Sequence, residues 1–200
     1  MTRANVSALR RSALIAATID EIGEAGSLEV TVSQIARKAG VSSALAHHYF
    51  GSKDQLFLAA MRSVLSDFGA EVRACLADRH SPRDRVDGIV AVCFSPQNFR
   101  PAVVAAWLNF YVLAQTAPQA HRLLRVYQRR LHSNLLAELR PLAGGDAVAI
   151  AQTTAALIDG LYIRQALRNE SLDAAASIGL VTAYLDGVLA PQNTRQEKRA

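Results

Sequence analysis

Apolar residues recur at three- and four-residue intervals along nearly the whole chain, and no alternating stretch persists as a strand would need. The pattern predicts an all-α fold of about nine helices. The first spans 7–23, with Ile15, Ile19 and Ile22 on one face, and ends in the Gly23–Gly26 region. Two short helices meet at Gly40. A long helix follows over 52–78. Its early apolar residues, Leu56, Phe57 and Met61, belong with the N-terminal helices, and Val64, Leu65, Phe68, Val72 and Leu76 belong with the rest. The boundary therefore falls inside a helix, giving an N-terminal domain over 1–62 and a larger one over 63–190. A turn at 79–82 leads to a helix over 83–94, and Pro96 and Pro101 bracket an irregular connector. Helices over 102–116, 118–139, 146–167 and 172–189 complete the set. Pro141 with Gly144-Gly145 marks a loop, Pro191 closes the fold, and 191–200 is expected to be a disordered basic tail.

The stretch from Val30 to Leu56 carries the most chemistry. Thr31 can cap the first short helix while Gln34 returns the bond. Ile35, Ala36 and Ala39 share a face, and Ala36 must be small because the next helix crosses over it. Gly40 supplies the positive φ that turns the chain, and Val41 plugs the corner. Ser42 or Ser43 caps the second short helix, and Leu45 and Phe50 point to the core. Such a helix-turn-helix suits a DNA major groove, with the N-terminal residues of its second helix on base edges. A plain helical hairpin would share the Gly-Val-Ser turn, but not the exposed polar second helix followed by Lys53. The expected DNA-contacting set is Thr31, Ser42, Ser43, Ala44, His47, His48, Tyr49 and Lys53. Lys53, Thr31 and Tyr49 suit phosphates. Ser43, His47 and His48 suit base edges, and Ala44 a thymine methyl group.

The 200 residues are half hydrophobic and carry a formal charge of +5, which favours an anionic partner. The two cysteines, Cys75 and Cys93, fit neither a metal knuckle nor a redox pair, so free thiols in a reducing compartment are expected. Arg10-Arg11 and the apolar residues after it resemble an export signal faintly, but Asp20 and Glu21 interrupt it. The most apolar run, 147–163, contains Gln152, Thr153, Thr154 and Asp159, so no membrane span is expected. The reading is a soluble, cytoplasmic protein with no catalytic residues, metal or cofactor. A phosphate-binding glycine loop and a nucleophile elbow are absent, and His80, His121 and His132 are scattered, exposed or capping.

These features resemble the TetR family of one-component repressors. The head carries the likeness through Thr31, Ile35, Ala36, Gly40, Val41, Tyr49, Phe50, Lys53 and Leu56. The body narrows it. Ala106-Trp107-Leu108-Asn109-Phe110, Arg129-Arg130-Leu131 with Ser133-Asn134-Leu135, and Ala156-Leu157-Ile158-Asp159-Gly160-Leu161 look like the BetI branch. The resemblance implies a TetR-like fold, a three-helix head on a ligand-binding and dimerising body. It also implies a homodimer on a pseudo-palindromic operator, repression of genes for choline uptake and glycine betaine synthesis, and choline as inducer. Ala44 and Ala46-His47 depart from what relatives commonly carry, so no operator sequence is transferred. A same-fold regulator of a drug-like cation or acyl compound is the serious alternative. A pure interaction protein is disfavoured by Lys53 and Tyr49.

A quaternary ammonium ion offers no N–H donor and is held by ring faces. Trp107, Phe110 and Tyr111 lie within about one turn of each other, with Tyr127 and Tyr162 on later helices. They suit such a cage, and equally a core. Asp159 could balance a bound cation, pair with Arg164 or cap a helix. In the last two helices Ala155, Ala156, Gly160, Ala175, Ala176 and Gly179 are small, and Leu157, Leu161, Leu180 and Tyr184 supply bulk. The expected dimer interface is Leu157, Gly160, Leu161, Gly179, Leu180 and Tyr184, in a four-helix bundle. The same residues would also serve packing within one chain.

Overall fold

A computed structural model describes residues 3–167 and 171–190. Its helices are α1 (Arg3–Ala25), α2 (Val32–Lys38), α3 (Ser43–Phe50), α4 (Lys53–Ala77), α5 (Pro82–Cys93), α6 (Pro101–Thr116), α7 (Pro118–Ala143), α8 (Ala147–Ala166) and α9 (Ala174–Leu189). A 3-10 turn over Gly144–Asp146 joins α7 to α8, and the described residues contain no strand. The segment 191–200, expected to be a tail, and Pro191 lie outside the described residues.

Local chemistry fixes the head. Thr31 is the N-cap of α2, and its capping box is complete. Its hydroxyl accepts from the Gln34 amide, and the Gln34 side chain accepts from the Thr31 N–H at 2.7 Å. Replacing Thr31 with alanine removes one side of that box. Chemical denaturation is expected to show a loss of about 1 kcal/mol, and a smaller loss than 0.3 kcal/mol would mean that α2 is set by packing alone. Gly40 ends α2 at φ +68°. Ser42, rather than Ser43, caps α3 by accepting from the Leu45 amide. Ala46 is the fully buried contact of α3, while Leu45 and Phe50 are half-buried. Ser52 caps α4. From there α4 runs unbroken for 25 residues, leaving the head at Leu56 and Met61 and packing against α5 and α7 in the body.

Helix α1 ends inside the Gly23–Gly26 region that the pattern marks, whereas α7 outruns its expected end. Helix α1 passes through Gly23 and stops at Gly26, whose φ is +63°. Gly23 is there for closeness: a Cβ at Gly23 would stand 2.5 Å from Ala102 Cα of α6. Helix α7 likewise continues through Pro141 to Ala143. Proline lacks one N–H, which near a helix end costs a single bond, and Gly144 at φ +51° then turns the chain.

The apolar residues form one continuous core. Leu14 and Ile22 of α1 meet Ile35, Leu56 and Met61 in the head. Phe110, Leu131, Leu135, Leu139 and Ile158 fill the body. Lys38 pairs with Glu21 and Glu24, tying α2 to α1. Arg100 pairs with Asp20 at 2.9 Å, tying α6 to α1.

Candidate DNA interface and ligand cavity

The exposed side of the head gathers most of the residues expected on DNA. Thr31, Ser42, Ala44, His47 and His48 are exposed, and Ser43, Tyr49 and Lys53 are half-buried. Several are already engaged. Ser43 Oγ donates to Ser33 Oγ at 3.2 Å, and His47 Nδ1 lies 3.1 Å from the Gly51 carbonyl. The Lys53 ammonium donates to the Leu28 carbonyl at 2.8 Å, so it ties down the loop before α2. Arg11, which the sequence pattern noted only in a faint export-like run, holds the C-terminal end of α3. Its Nη1 donates to the Tyr49 carbonyl at 3.0 Å and its guanidinium lies 4.6 Å from the Phe50 ring centre. A cation at a helix C-terminus opposes the negative end of its dipole.

In the body, Trp107 of α6 lies 4.6 Å from the Tyr127 ring of α7, centre to centre, and 5.7 Å from Tyr111. Phe68 of α4 packs edge-on to Tyr127 at 5.8 Å. Tyr162 of α8 packs on Phe94 and Phe99. Its hydroxyl donates to the Cys93 carbonyl and, at 3.2 Å, to the Asn98 carbonyl. Trp107, Tyr127 and Tyr162 line one cavity, together with Val64, Phe68, Cys93 and Asn98. The free space is about 10 Å³, room for one water at most. A trimethylammonium group is larger, so it could enter only if these side chains part. Phe110 and Tyr111 stand behind the wall. Phe110 is wedged between Trp107 and Phe57, and Tyr111 turns its hydroxyl to Asp159 at 3.0 Å.

Asp159 therefore has a tyrosine partner 48 residues away rather than Arg164. Burial pushes its carboxyl up from 3.8 to about 6, against the opposing effect of the Tyr111 hydrogen bond. Burial also raises the Cys93 thiol and the Tyr127 and Tyr162 hydroxyls. The Asp159 charge adds to each, so the carboxylate is felt across the cavity.

Phe68, Asn98, Cys93 and Val64 escaped the sequence pattern because only the fold assembles them. Asn98 has a further part. Its Nδ2 donates to Glu71 of α4 at 3.0 Å, so the Tyr162 wall is linked by hydrogen bonds to the helix that enters the head. Both cysteines are free. His80 and His121 are exposed, whereas His132 Nε2 is buried without a hydrogen-bond partner among the described residues. No helix of the described residues is long and apolar enough to cross a membrane.

On α8 and α9, Leu180 is 61% exposed and Gly179 is exposed, while Leu157, Gly160, Leu161 and Tyr184 are half-buried. A Cβ at Gly160 or Gly179 would stand in open space. Nothing within the described chain requires those two residues to be small.

The comparisons agree with this architecture. Residues 82–190 match the family described as BetI-type transcriptional repressor, C-terminal, and residues 14–60 match bacterial regulatory proteins of the tetR family. The HTH-type transcriptional regulator BetI of Brucella anthropi is 50% identical over 186 residues, which is 92% of this chain and 96% of the relative. BetI of Agrobacterium fabrum is 50% identical over 187 residues, 93% of this chain and 91% of the relative. Among solved structures, a putative transcriptional regulator from Saccharomonospora viridis in complex with choline superposes with a TM-score of 0.80. It is 21% identical, covers 88% of this chain and 95% of that one, and so speaks for the fold. The chain belongs to the TetR family and is a DNA-binding transcriptional repressor with a BetI-type C-terminal domain.

Proposed function

We propose that this repressor controls genes for choline uptake and glycine betaine synthesis, and that choline is its inducer. The observation that carries this reading is the ring-walled cavity of Trp107, Tyr127, Tyr162 and Phe68, whose two tyrosines feel the charge of the half-buried Asp159 carboxylate. Ring faces and one diffuse negative charge are what a quaternary ammonium ion needs. The choline bound to the Saccharomonospora protein of the same fold supports the same ligand class. Tyr111 and Phe110 are assigned supporting roles, the former by holding Asp159 and the latter by backing Trp107. Entry of the cation must displace ring walls, and Phe68 belongs to α4, the helix shared with the head. Ligand and operator then compete for two positions of α4, limited by the ligand's differential affinity for them.

Titration calorimetry with choline, betaine aldehyde and glycine betaine tests the ligand. Choline binding by the protein, weakened about thirtyfold in Trp107→Leu, is expected from the loss of an enclosed ring face worth about 2 kcal/mol. Binding of none of the three by folded protein would end the choline reading and leave the DNA-binding assignment standing.

The repressor is proposed to act as a twofold dimer through Leu157, Gly160, Leu161, Gly179, Leu180 and Tyr184. The open space at Gly160 and Gly179 is suited to a second chain. Two reading helices would then meet half-sites about one DNA turn apart. Ser43, Ala44, His47 and His48 are assigned to base edges, with Ser42 beside them. Thr31, Tyr49 and Lys53 are assigned to phosphates, Lys53 by exchanging the Leu28 carbonyl for a phosphate oxygen. Lys53→Gln is expected to weaken operator and random DNA alike and lower the salt slope by about 1, whereas His47→Ala shifts preference between operator variants. Equal losses on all sequences from both substitutions would reject this division.

A further inference from the structure

Between α4 and α7 lies a groove of about 520 Å³, within the range of about 300–1,000 Å³ typical of small-molecule sites. Of its lining, the operator and choline readings use only the Phe68 and Tyr127 rings. Its floor is apolar: Leu65, Phe68 and Val72 come from α4, and Leu123, Val126 and Tyr127 from α7. Arg62, Arg73 and Arg130 also line it, and no carboxylate does. Arg62 and Arg73 stand eleven residues apart on α4 (73 minus 62), which is about 16 Å along the helix. Among the described residues, none of the three arginines is in an ion pair.

A second observation comes from Gly69, in the middle of α4 and on the wall of the groove. A glycine there weakens a helix relative to alanine, and packing does not require it. An added Cβ would meet only the flexible end of Arg73, at 3.4 Å. Its effect is to keep the groove wide. An apolar trough with unpaired guanidinium groups and no acid rejects cations and complements an apolar body with an anionic head. Arginine grips a carboxylate with two parallel hydrogen bonds.

We propose that this groove is a second ligand site, for an amphipathic carboxylate, distinct from the ring cavity. The two compartments share Phe68 and Tyr127 as walls, so occupancy of the groove is felt at Trp107, whose ring lies 4.6 Å from Tyr127. The site stands whether or not choline is the inducer.

The test is titration of the full-length protein with decanoate, alongside decanol and decyltrimethylammonium of the same chain length. Calorimetry gives affinity, and the fluorescence of Trp107, the one tryptophan, gives location. Decanoate is expected to saturate a site at least about tenfold more tightly than decanol. The triple variant Arg62→Gln, Arg73→Gln, Arg130→Gln should lose about tenfold of decanoate affinity and little of decanol affinity. Gly69→Leu should abolish decanoate binding while choline titrates as in the unaltered protein. Leucine favours a helix, so this variant should fold; should it melt early, the triple variant decides. Decanoate binding no tighter than that of decanol would overturn the proposal. So would decanoate binding that survives Gly69→Leu but fails in Trp107→Leu, since the ligand would then sit in the ring cavity.

Discussion

Asp159→Asn is expected to make the protein more stable and less able to hold a quaternary ammonium ion. The folded pKa is about 6 against an ordinary value of 3.8, so the fold binds this proton more tightly than the unfolded chain does. Stability therefore falls as pH rises from about 4 through about 6, and the penalty is complete above that window. At about 1.4 kcal/mol per pKa unit, ionised Asp159 costs the fold about 2–3 kcal/mol at pH 8. Asparagine keeps an acceptor for the Tyr111 hydroxyl and carries no charge. Thermal unfolding at pH 8 should move up by roughly 5–10 °C, and the gain should shrink toward zero near pH 4. Choline binding should move the other way, tighter above pH 6 in the unaltered protein and about tenfold weaker in the variant at pH 8. A variant as stable as its parent at both pH values would mean that solvent or a side-chain rearrangement relieves the buried carboxylate.

Under the proposed function, a half-buried carboxylate that costs the fold stability when ionised has a use as the counter-charge of a bound cation. A bound cation restores the compensation that burial removed, so ligand binding and the Asp159 proton oppose each other. The same opposition explains why the partner is a tyrosine. An arginine would cancel the charge permanently, whereas the Tyr111 hydroxyl orients the carboxylate and leaves its charge for a ligand.

The sequence revealed features that depend on neighbours a few residues away. The Thr31–Gln34 box, the Gly40 turn and a serine cap for the second short helix are local, and they placed the helix-turn-helix; the Ser52 cap of α4 is equally local and was passed over. The choice between Ser42 and Ser43 needed coordinates, because both can cap. Assembly of the cavity is different. Trp107 and Phe110 lie three residues apart, yet one faces the cavity and the other faces Phe57 of α4. Period alone cannot say which side of α6 is hollow. Phe68 and Asn98 join the wall only because α4 and the α5–α6 connector converge on Tyr162. Proximity along the chain offers Arg164 as one partner for Asp159, but the fold supplies Tyr111 from another helix. The end of α1 in the Gly23–Gly26 region was legible, but the contact that keeps Gly23 small was not, since Ala102 lies on a distant helix.

That contact carries the second large effect. Gly23→Ala should destabilise the protein by about 3 kcal/mol, at the high end for overpacking. The added methyl would stand 2.5 Å from the Cα and Cβ of Ala102, and backbone cannot swing aside as a long side chain can. Gly69→Ala is the control, with only an arginine tip nearby, and should raise stability by about 1 kcal/mol. The consequence for function follows from what the two helices carry. Helix α6 bears Trp107 in the cavity wall and touches α1 through Ala102, with the Arg100–Asp20 pair beside it. Helix α1 bears Arg11, which holds the end of the reading helix. Under the proposed switch, the contacts of α6 with α1 would offer a second body-to-head route beside α4. Forcing α1 from α6 should loosen that route and leave the one through α4. Operator binding by Gly23→Ala is therefore expected to persist at temperatures where it is folded, with its response to choline reduced. Measuring operator affinity with and without saturating choline decides the matter. An undiminished choline response in the folded variant would assign the whole signal to α4.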